Sequence, residues 1–272
     1  MSARAWILLG LVHLPILAAD RCAPHQPEVQ HRDHASLGPS LTFPLGTDDV
    51  GRDVSSRVLH GARLSLAAAG LATAIALTAA LVIGGAAGYA GRAADAVLTV
   101  ATEAVMAVPW MFLLLAVRSA LPLDLSPERT FLLVSCLVGC IGWGASARLI
   151  RSVVRQARTE DYVLAARAAG ASAARTFRAH VLPASASVVA AQALVLFPQF
   201  VMAEVTLSFL GLGISEPTAS LGTLLGELRS SSAFGGQAWR FAPAAVLVLL
   251  LAGYRGVARL AEHRRRTSTS SP

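Results

Sequence analysis

Five stretches of this chain, residues 64–89, 97–121, 130–150, 185–213 and 241–260, run apolar for twenty residues or more. An α-helix rises 1.5 Å per residue, so about twenty residues cross a hydrocarbon core of about 30 Å. Each stretch is long enough to be a transmembrane helix. A shorter run, residues 5–19, follows Arg4 and fits either a first span, serving as a signal anchor, or the core of a signal peptide. Ile16 and Leu17 stand where a cleavage site needs a small residue, and Asp20 and Arg21 precede Cys22, so the run reads as an uncleaved helix. The expected fold is an all-α integral membrane protein of about six transmembrane helices with both termini on one side. Composition agrees: 14% of residues are charged and mean hydropathy is +0.58, where soluble domains carry about 25% charge. Gly84, Gly85 and Gly88 mark a place where helices can approach closely. The expected layout is a first helix at 1–20, an extracytoplasmic loop at 21–61, a transmembrane domain at 62–262 with a cytoplasmic loop at 151–184, and a cytoplasmic tail at 263–272.

All 23 basic residues are arginine. Without lysine the chain can build neither a phosphate-binding P-loop nor a Schiff base. The net charge of +7 sits beside apolar runs, the pattern of positive-inside topology rather than of nucleic-acid binding. Arg148, Arg151, Arg155, Arg158, Arg167, Arg175 and Arg178 crowd one loop, and Arg255, Arg259, Arg264, Arg265 and Arg266 crowd the C-terminal end. Both regions are expected in the cytoplasm. Arg21, Arg32, Arg52, Arg57 and Arg63 in the first loop run against that orientation. That loop, interrupted by Pro24, Pro27, Pro39 and Pro44, reads as solvated. Its His25, His31 and His34 lack metal-ligand spacing, and Cys136 and Cys140, one turn apart in an apolar run, read as packing residues.

Between two apolar runs lies a polar segment, TEDYVLAARAAGASAARTFRAHVLP, residues 159–183. Thr159 can cap a helix that ends near Gly170, and Ser172 can cap a second over residues 173–182. Tyr162, Ala165, Ala166 and Ala169 fall on one face, nearly all methyl groups, which admits a partner closely. Ala174, Phe177 and Val181 form a thin apolar stripe in the second helix, leaving Arg175 and Arg178 for acidic groups. Two readings stand at this point: a docking element, or an amphipathic connector on the membrane surface. Glu103 and Glu204 lie inside apolar runs and must face protein or water. They either line a substrate path or hold helices together, and Pro109 and Pro198 are expected to kink their spans.

Two other functions compete. An intramembrane hydrolase could use Ser146 or Ser172, each in a Gly-Ala-Ser-Ala setting, but His180 and His263 lie in polar segments outside the spans. A stand-alone proton-coupled transporter could use Glu103 and Glu204.

Three motifs in order, PLGTDDVGRDVSSRVLHGARLSL at 44–66, DYVLAARAAGASAARTFRAHVLP at 161–183 and AEVTLSFLGLGISEPTASLGTLL at 203–225, resemble the inner-membrane permease subunits of ABC importers for dipeptides, oligopeptides and nickel. The likeness is to the second, C-type permease of those systems. It implies a type I importer (MetI-like) fold without catalysis of its own, in a multi-pass inner-membrane protein. The implied partners are a second homologous permease in a heterodimer, two ATP-binding subunits that use ATP and Mg, and an extracytoplasmic substrate-binding protein. No cofactor is implied on this chain. The resemblance puts the family's docking signature on positions 164–166, its glycine on Gly170 and its terminal L-P on Leu182 and Pro183; with the reading of the segment above, ATPase docking is expected at Tyr162, Ala165, Ala166, Gly170, Ser172, Arg175, Phe177, Arg178 and Pro183. Leu164 stands where that family has the glutamate of its E-A-A signature, and Leu221 where a tryptophan is usual.

Overall fold

The computed structural model describes residues 2–89, 92–122, 125–229 and 237–269, and these residues are helical and irregular, with one isolated β-bridge, Thr47 to Asp53. The helices are α1 Ser2–Leu17, α2 Val54–Tyr89, α3 Arg92–Ala107, α4 Trp110–Ser119, α5 Pro127–Ile141, α6 Gly144–Ala157 and α7 Asp161–Ala168. Then come α8 at residues 173–184, α9 Ala186–Phe209, α10 Leu221–Glu227 and α11 Ala242–Thr269. Each apolar run of the sequence is mostly helical.

Among the described residues three helical segments are long and apolar enough to cross a membrane: Val54–Tyr89, Ala186–Phe209 and Ala238–Arg259, with mean hydropathies of 2.3, 1.8 and 1.7. A fourth span forms if α5 and α6, bent by 47° at Gly142 and Trp143, count as one. The run at 97–121 is broken outright, because Pro109 has no N–H to donate and disfavours helical backbone at Val108. The Pro109 carbonyl instead accepts from Phe112 N and Leu113 N and starts α4. Pro198, by contrast, sits inside α9 without interrupting it.

The chain forms two compact units, one from Met1–Gly70, Arg118–Ser135 and Pro198–Pro272, the other from Leu71–Val117 and Cys136–Phe197. In the first, α1 packs on α11: Gly253 lies against Leu9, and His13 Nε2 is 3.0 Å from the Tyr254 hydroxyl. Ile7, Leu11, Leu14 and Leu17 leave the other face of α1 exposed and apolar, as lipid contact requires. The loop before α2 is ordered rather than simply solvated. Phe43 is 4% exposed, with the rings of His25, His31 and His34 within 4.9–5.6 Å of it, so these histidines pack an aromatic. Gly51, at φ +81°, packs against the His31 backbone, and Asp53 caps α2 by accepting from Ser56 N at 3.0 Å. The spanning helix therefore begins at Val54, eight residues before the expected boundary at 62. At the other end α11 continues to Thr269, through residues read from sequence as a tail.

In the second unit the expected close approach is present. A Cβ on Gly88 would lie 2.6 Å from the Arg151 carbonyl, and one on Gly84 would strike that of Ala147, so α2 meets α6 backbone to backbone. Beside that seam Ala80, Ala147, Ile150, Val154, Ala157, Val163 and Val181 form one buried cluster. Asp95 of α3 pairs with Arg151 of α6 through two bonds of 2.5 and 2.8 Å. Cys136 and Cys140 are free and exposed on α5, so they are not interior packing residues of this chain.

Candidate coupling surface

The polar segment folds as a helix, a tight turn and a second helix. Helix α7 ends in a Schellman arrangement: Gly170 N donates to Arg167 O at 2.9 Å and Ala171 N to Ala166 O at 3.1 Å. This requires the left-handed backbone, and Gly170 has φ +85°. Ser172 caps the next helix, accepting from Arg175 N at 3.3 Å. The first cap differs from the expectation. Glu160 takes that position without a side-chain bond, while the Thr159 hydroxyl donates to Gln156 O at 2.8 Å and closes α6 instead. Helix α8 carries a π turn, Phe177–Val181.

The segment is anchored on one side and open on the other. Val163, Thr176 and Val181 are each 0% exposed. Phe177 packs against Gly85 and Tyr89, with ring centroids 5.1 Å apart in the latter pair, so its ring is committed to the interior. Tyr89 is a hub that sequence reading missed. Its hydroxyl donates to Ala173 O at 3.0 Å, its carbonyl accepts from Arg158 at 3.3 Å, and Arg167 lies 5.1 Å over its ring. Only its place at the end of an apolar run hinted at that role.

On the open side Tyr162, Leu164, Ala165, Ala169, Gly170, Ser172, Arg175, Arg178 and Pro183 are exposed and Ala166 is half-buried. Tyr162 and His180 meet edge to face at 6.2 Å, linking the two helices. The result is a crest of methyl groups around a sharp turn, rimmed by two arginines and fixed by Val163, Val181 and Tyr89.

The other singled-out residues fall elsewhere. Glu103 is exposed on α3. Glu204 is 1% exposed; its Oε1 accepts from Ser208 Oγ at 2.7 Å, which in turn accepts from Ile214 N at 3.0 Å. It belongs to a buried polar knot within this chain. Ser146 is buried and donates to Gln192 Oε1 at 2.8 Å, and Ser172 is a cap, so neither is placed as a nucleophile beside a base. Among the described residues no group of three His, Cys, Asp or Glu could hold a metal ion.

A second constellation, unmarked in the sequence, joins the outer two of the three motifs. Asp48 Oδ2 accepts from Arg52 Nε and Arg57 Nη1, both at 2.6 Å. Arg57 Nη2 donates to Glu216 Oε1 at 2.6 Å and lies 2.8 Å from Glu227 Oε1, while Arg52 pairs with Glu216 and reaches Glu227 at 3.4 Å. Arg57 is 1% exposed. Nearby, Arg240 pairs with Asp49 and Arg63 with Asp20. Three of the five first-loop arginines that opposed the topology reading are thus consumed in ion pairs.

Helices of this length and hydropathy, closing on glycine seams and carrying one exposed polar helix–turn–helix, define a multi-pass α-helical membrane protein. The pattern of the binding-protein-dependent transport system inner membrane component matches residues 57–267, and the chain belongs to that family as a membrane-embedded transport permease. It is 32% identical over 250 residues to the dipeptide transport system permease protein DppC of Bacillus subtilis, covering 92% of this chain and 76% of that one. The oligopeptide transport system permease protein OppC of Mycobacterium bovis is 34% identical over 215 residues, 78% of this chain and 72% of its own length. The di/tripeptide transport system permease protein DppC of Pseudomonas aeruginosa is 31% identical over 229 residues, 82% of this chain and 74% of that protein.

Proposed function

We propose that this chain forms half of the transmembrane pathway of an ATP-driven importer for dipeptides or oligopeptides, and that the crest at 161–183 seats it in an ATP-hydrolysing partner. The crest carries the reading: small exposed side chains on a turn that is rigid because it is buried behind. Tyr162, Ala165, Ala166 and Gly170 form the contact; Ser172 sets the angle of α8; Arg175, Arg178 and Pro183 lie at its rim; Phe177 fastens it from inside. ATP and Mg belong to two partner ATPases, the pathway is completed by a second permease, and a separate binding protein delivers substrate. Closure of the ATPases moves the crest and tilts the helices as bodies, exposing a central cavity to each side in turn. The names of the relatives, all peptide permeases, favour peptides over nickel.

The membrane holds about six helices in this reading, with α1 as the first and α3 plus α4 acting as one broken span. The crest and both termini are cytoplasmic. The concentration of arginines at 148–178 and at 255–266 supports that side, and so does neutralisation of Arg52, Arg57 and Arg63 on the other. Gly170→Val in the assembled transporter tests the coupling. Expected is loss of labelled-dipeptide uptake, with ATP hydrolysis no longer stimulated by substrate or with the complex failing to assemble. Normal uptake together with normal stimulated hydrolysis rejects the docking role. Uptake assays with labelled dipeptides, longer peptides and Ni²⁺ separate the substrate classes.

A further inference from the structure

The hydrogen bonds that shape the crest are local. Those of Gly170 N, Ala171 N and the Ser172 cap reach at most five residues along the chain, so they fix the form of the turn and not its direction. Val163 and Val181 hold it down by burial, which is non-directional and tolerates sliding. Direction comes from Tyr89, the last residue of α2. The Arg167 guanidinium carbon sits 5.1 Å over the centroid of its ring, and its hydroxyl donates to Ala173 O at 3.0 Å. Those two residues stand three before and three after Gly170, so one side chain touches both limbs of the turn.

On the reading of the crest as the docking element, on which this rests, we propose that Tyr89 is the positioning residue of the coupling step: it sets the angle between α7 and α8 and carries displacement of the crest into the end of α2. A residue that transmits movement must itself be tied down. The Tyr89 ring meets that of Phe177 at 5.1 Å, and the Phe177 ring lies 3.1 Å from where a Cβ on Gly85, one turn back along α2, would stand. The Tyr89 carbonyl is among the last four of α2, which have no partner inside the helix. It accepts instead from Arg158 Nη1 at 3.3 Å, just past the end of α6. Next to it, the backbone at Gly88 lies against the Arg151 carbonyl.

The two limbs are held by different chemistry. A hydrogen bond weakens steeply as its angle closes, so the hydroxyl restrains rotation of α8 where apolar contact does not. A cation over a ring is held by the ring quadrupole, which keeps Arg167 and the end of α7 close with less demand on angle. Ala173 is the first residue of α8 after the Ser172 cap, and its carbonyl also accepts from Phe177 N. The restraint thus enters α8 at its start, where a small shift swings the rest of the helix. Phenylalanine at position 89 would keep the ring contacts and delete the hydroxyl alone; leucine would delete both.

Two readouts on the transporter assembled with its partner subunits in lipid vesicles test this. Labelled dipeptide imported per ATP hydrolysed should fall about two- to ten-fold in Tyr89→Phe, the worth of one neutral hydrogen bond, and further in Tyr89→Leu, while the ATPase subunits still co-purify with Tyr89→Phe. Spin labels on Ala168→Cys and Ala179→Cys, both exposed positions, in a Cys22→Ser, Cys136→Ser, Cys140→Ser background, should show a distance distribution that broadens in Tyr89→Phe. If either the ratio or the distribution is unchanged in Tyr89→Phe while Gly170→Val still uncouples, the role of Tyr89 is overturned and docking stands. Loss of assembly in Tyr89→Phe makes the residue structural only and overturns it as well. Normal coupling in Gly170→Val and Tyr89→Phe alike overturns docking and, with it, the coupling role of Tyr89.

Discussion

At Gly170 the backbone sits at φ +85°, and a Cβ built there would meet nothing within 4 Å. The demand for glycine is conformational rather than steric. A β-branched residue in left-handed backbone costs about 1–2 kcal/mol, which reshapes the turn without disturbing any neighbour. Gly170→Val should thus leave the purified chain folded, with a circular dichroism spectrum unchanged, while changing the crest. Val163 behaves in the opposite way. It is 0% exposed in the cluster with Ile150, Val154 and Val181, so Val163→Ala should destabilise by about 1–3 kcal/mol and raise proteolytic cleavage in residues 159–184. Its burial was half legible, since it is the one β-branched side chain in the octet DYVLAARA. Phe177 was harder: helical spacing put it on a stripe, and only the π turn and Gly85 show which way its ring goes.

Among elements, the seam between α2 and α6 is the least forgiving contact. At Gly84 and Gly88 the opposing atoms are backbone carbonyls, which cannot move aside as a flexible side chain can. Gly88→Leu forces the helices apart and should cost upward of about 1–3 kcal/mol, the usual range for overpacking. The expected result is a lower yield of monodisperse protein in detergent and a lower midpoint of thermal unfolding. Gly226→Ala, whose nearest contact is 3.8 Å, should be neutral by the same measurement. The glycines were visible in the sequence as permission for a close approach, but not the partner. Helix ends were less legible. Thr159 looked like a cap by residue type, yet its hydroxyl had a nearer acceptor in the last turn of α6, at Gln156 O.

For the whole molecule, orientation is the property most open to a direct test. Cys22 is exposed after α1, on the side opposite the crest in the proposed topology. In a Cys136→Ser, Cys140→Ser background, a membrane-impermeant thiol reagent should label Cys22 in intact cells. It should label a cysteine placed at Ala171 only after permeabilisation. The reverse pattern would place the crest outside, where no ATPase could reach it. The first-loop arginines show why charge counting was ambiguous: the positive-inside bias concerns cations left free, and Arg52, Arg57 and Arg63 are bound to acids brought from up to 175 residues away, as in the pairing of Arg52 with Glu227.

The sequence alone determined the solvent and the class of fold, because runs of twenty or more apolar residues leave a chain no alternative to helices in lipid. It also determined the helix–turn–helix at 159–184, since glycine and serine at the turn act through local backbone geometry. Tertiary structure alone decided which groups met across distance. Glu204 became an internal knot, three histidines closed around Phe43, Tyr89 became the anchor of the crest, and Asp48, Arg52, Arg57, Glu216 and Glu227 became one cluster. Local patterns depend on neighbours a few residues apart, whereas burial and charge pairing depend on where the chain returns to itself.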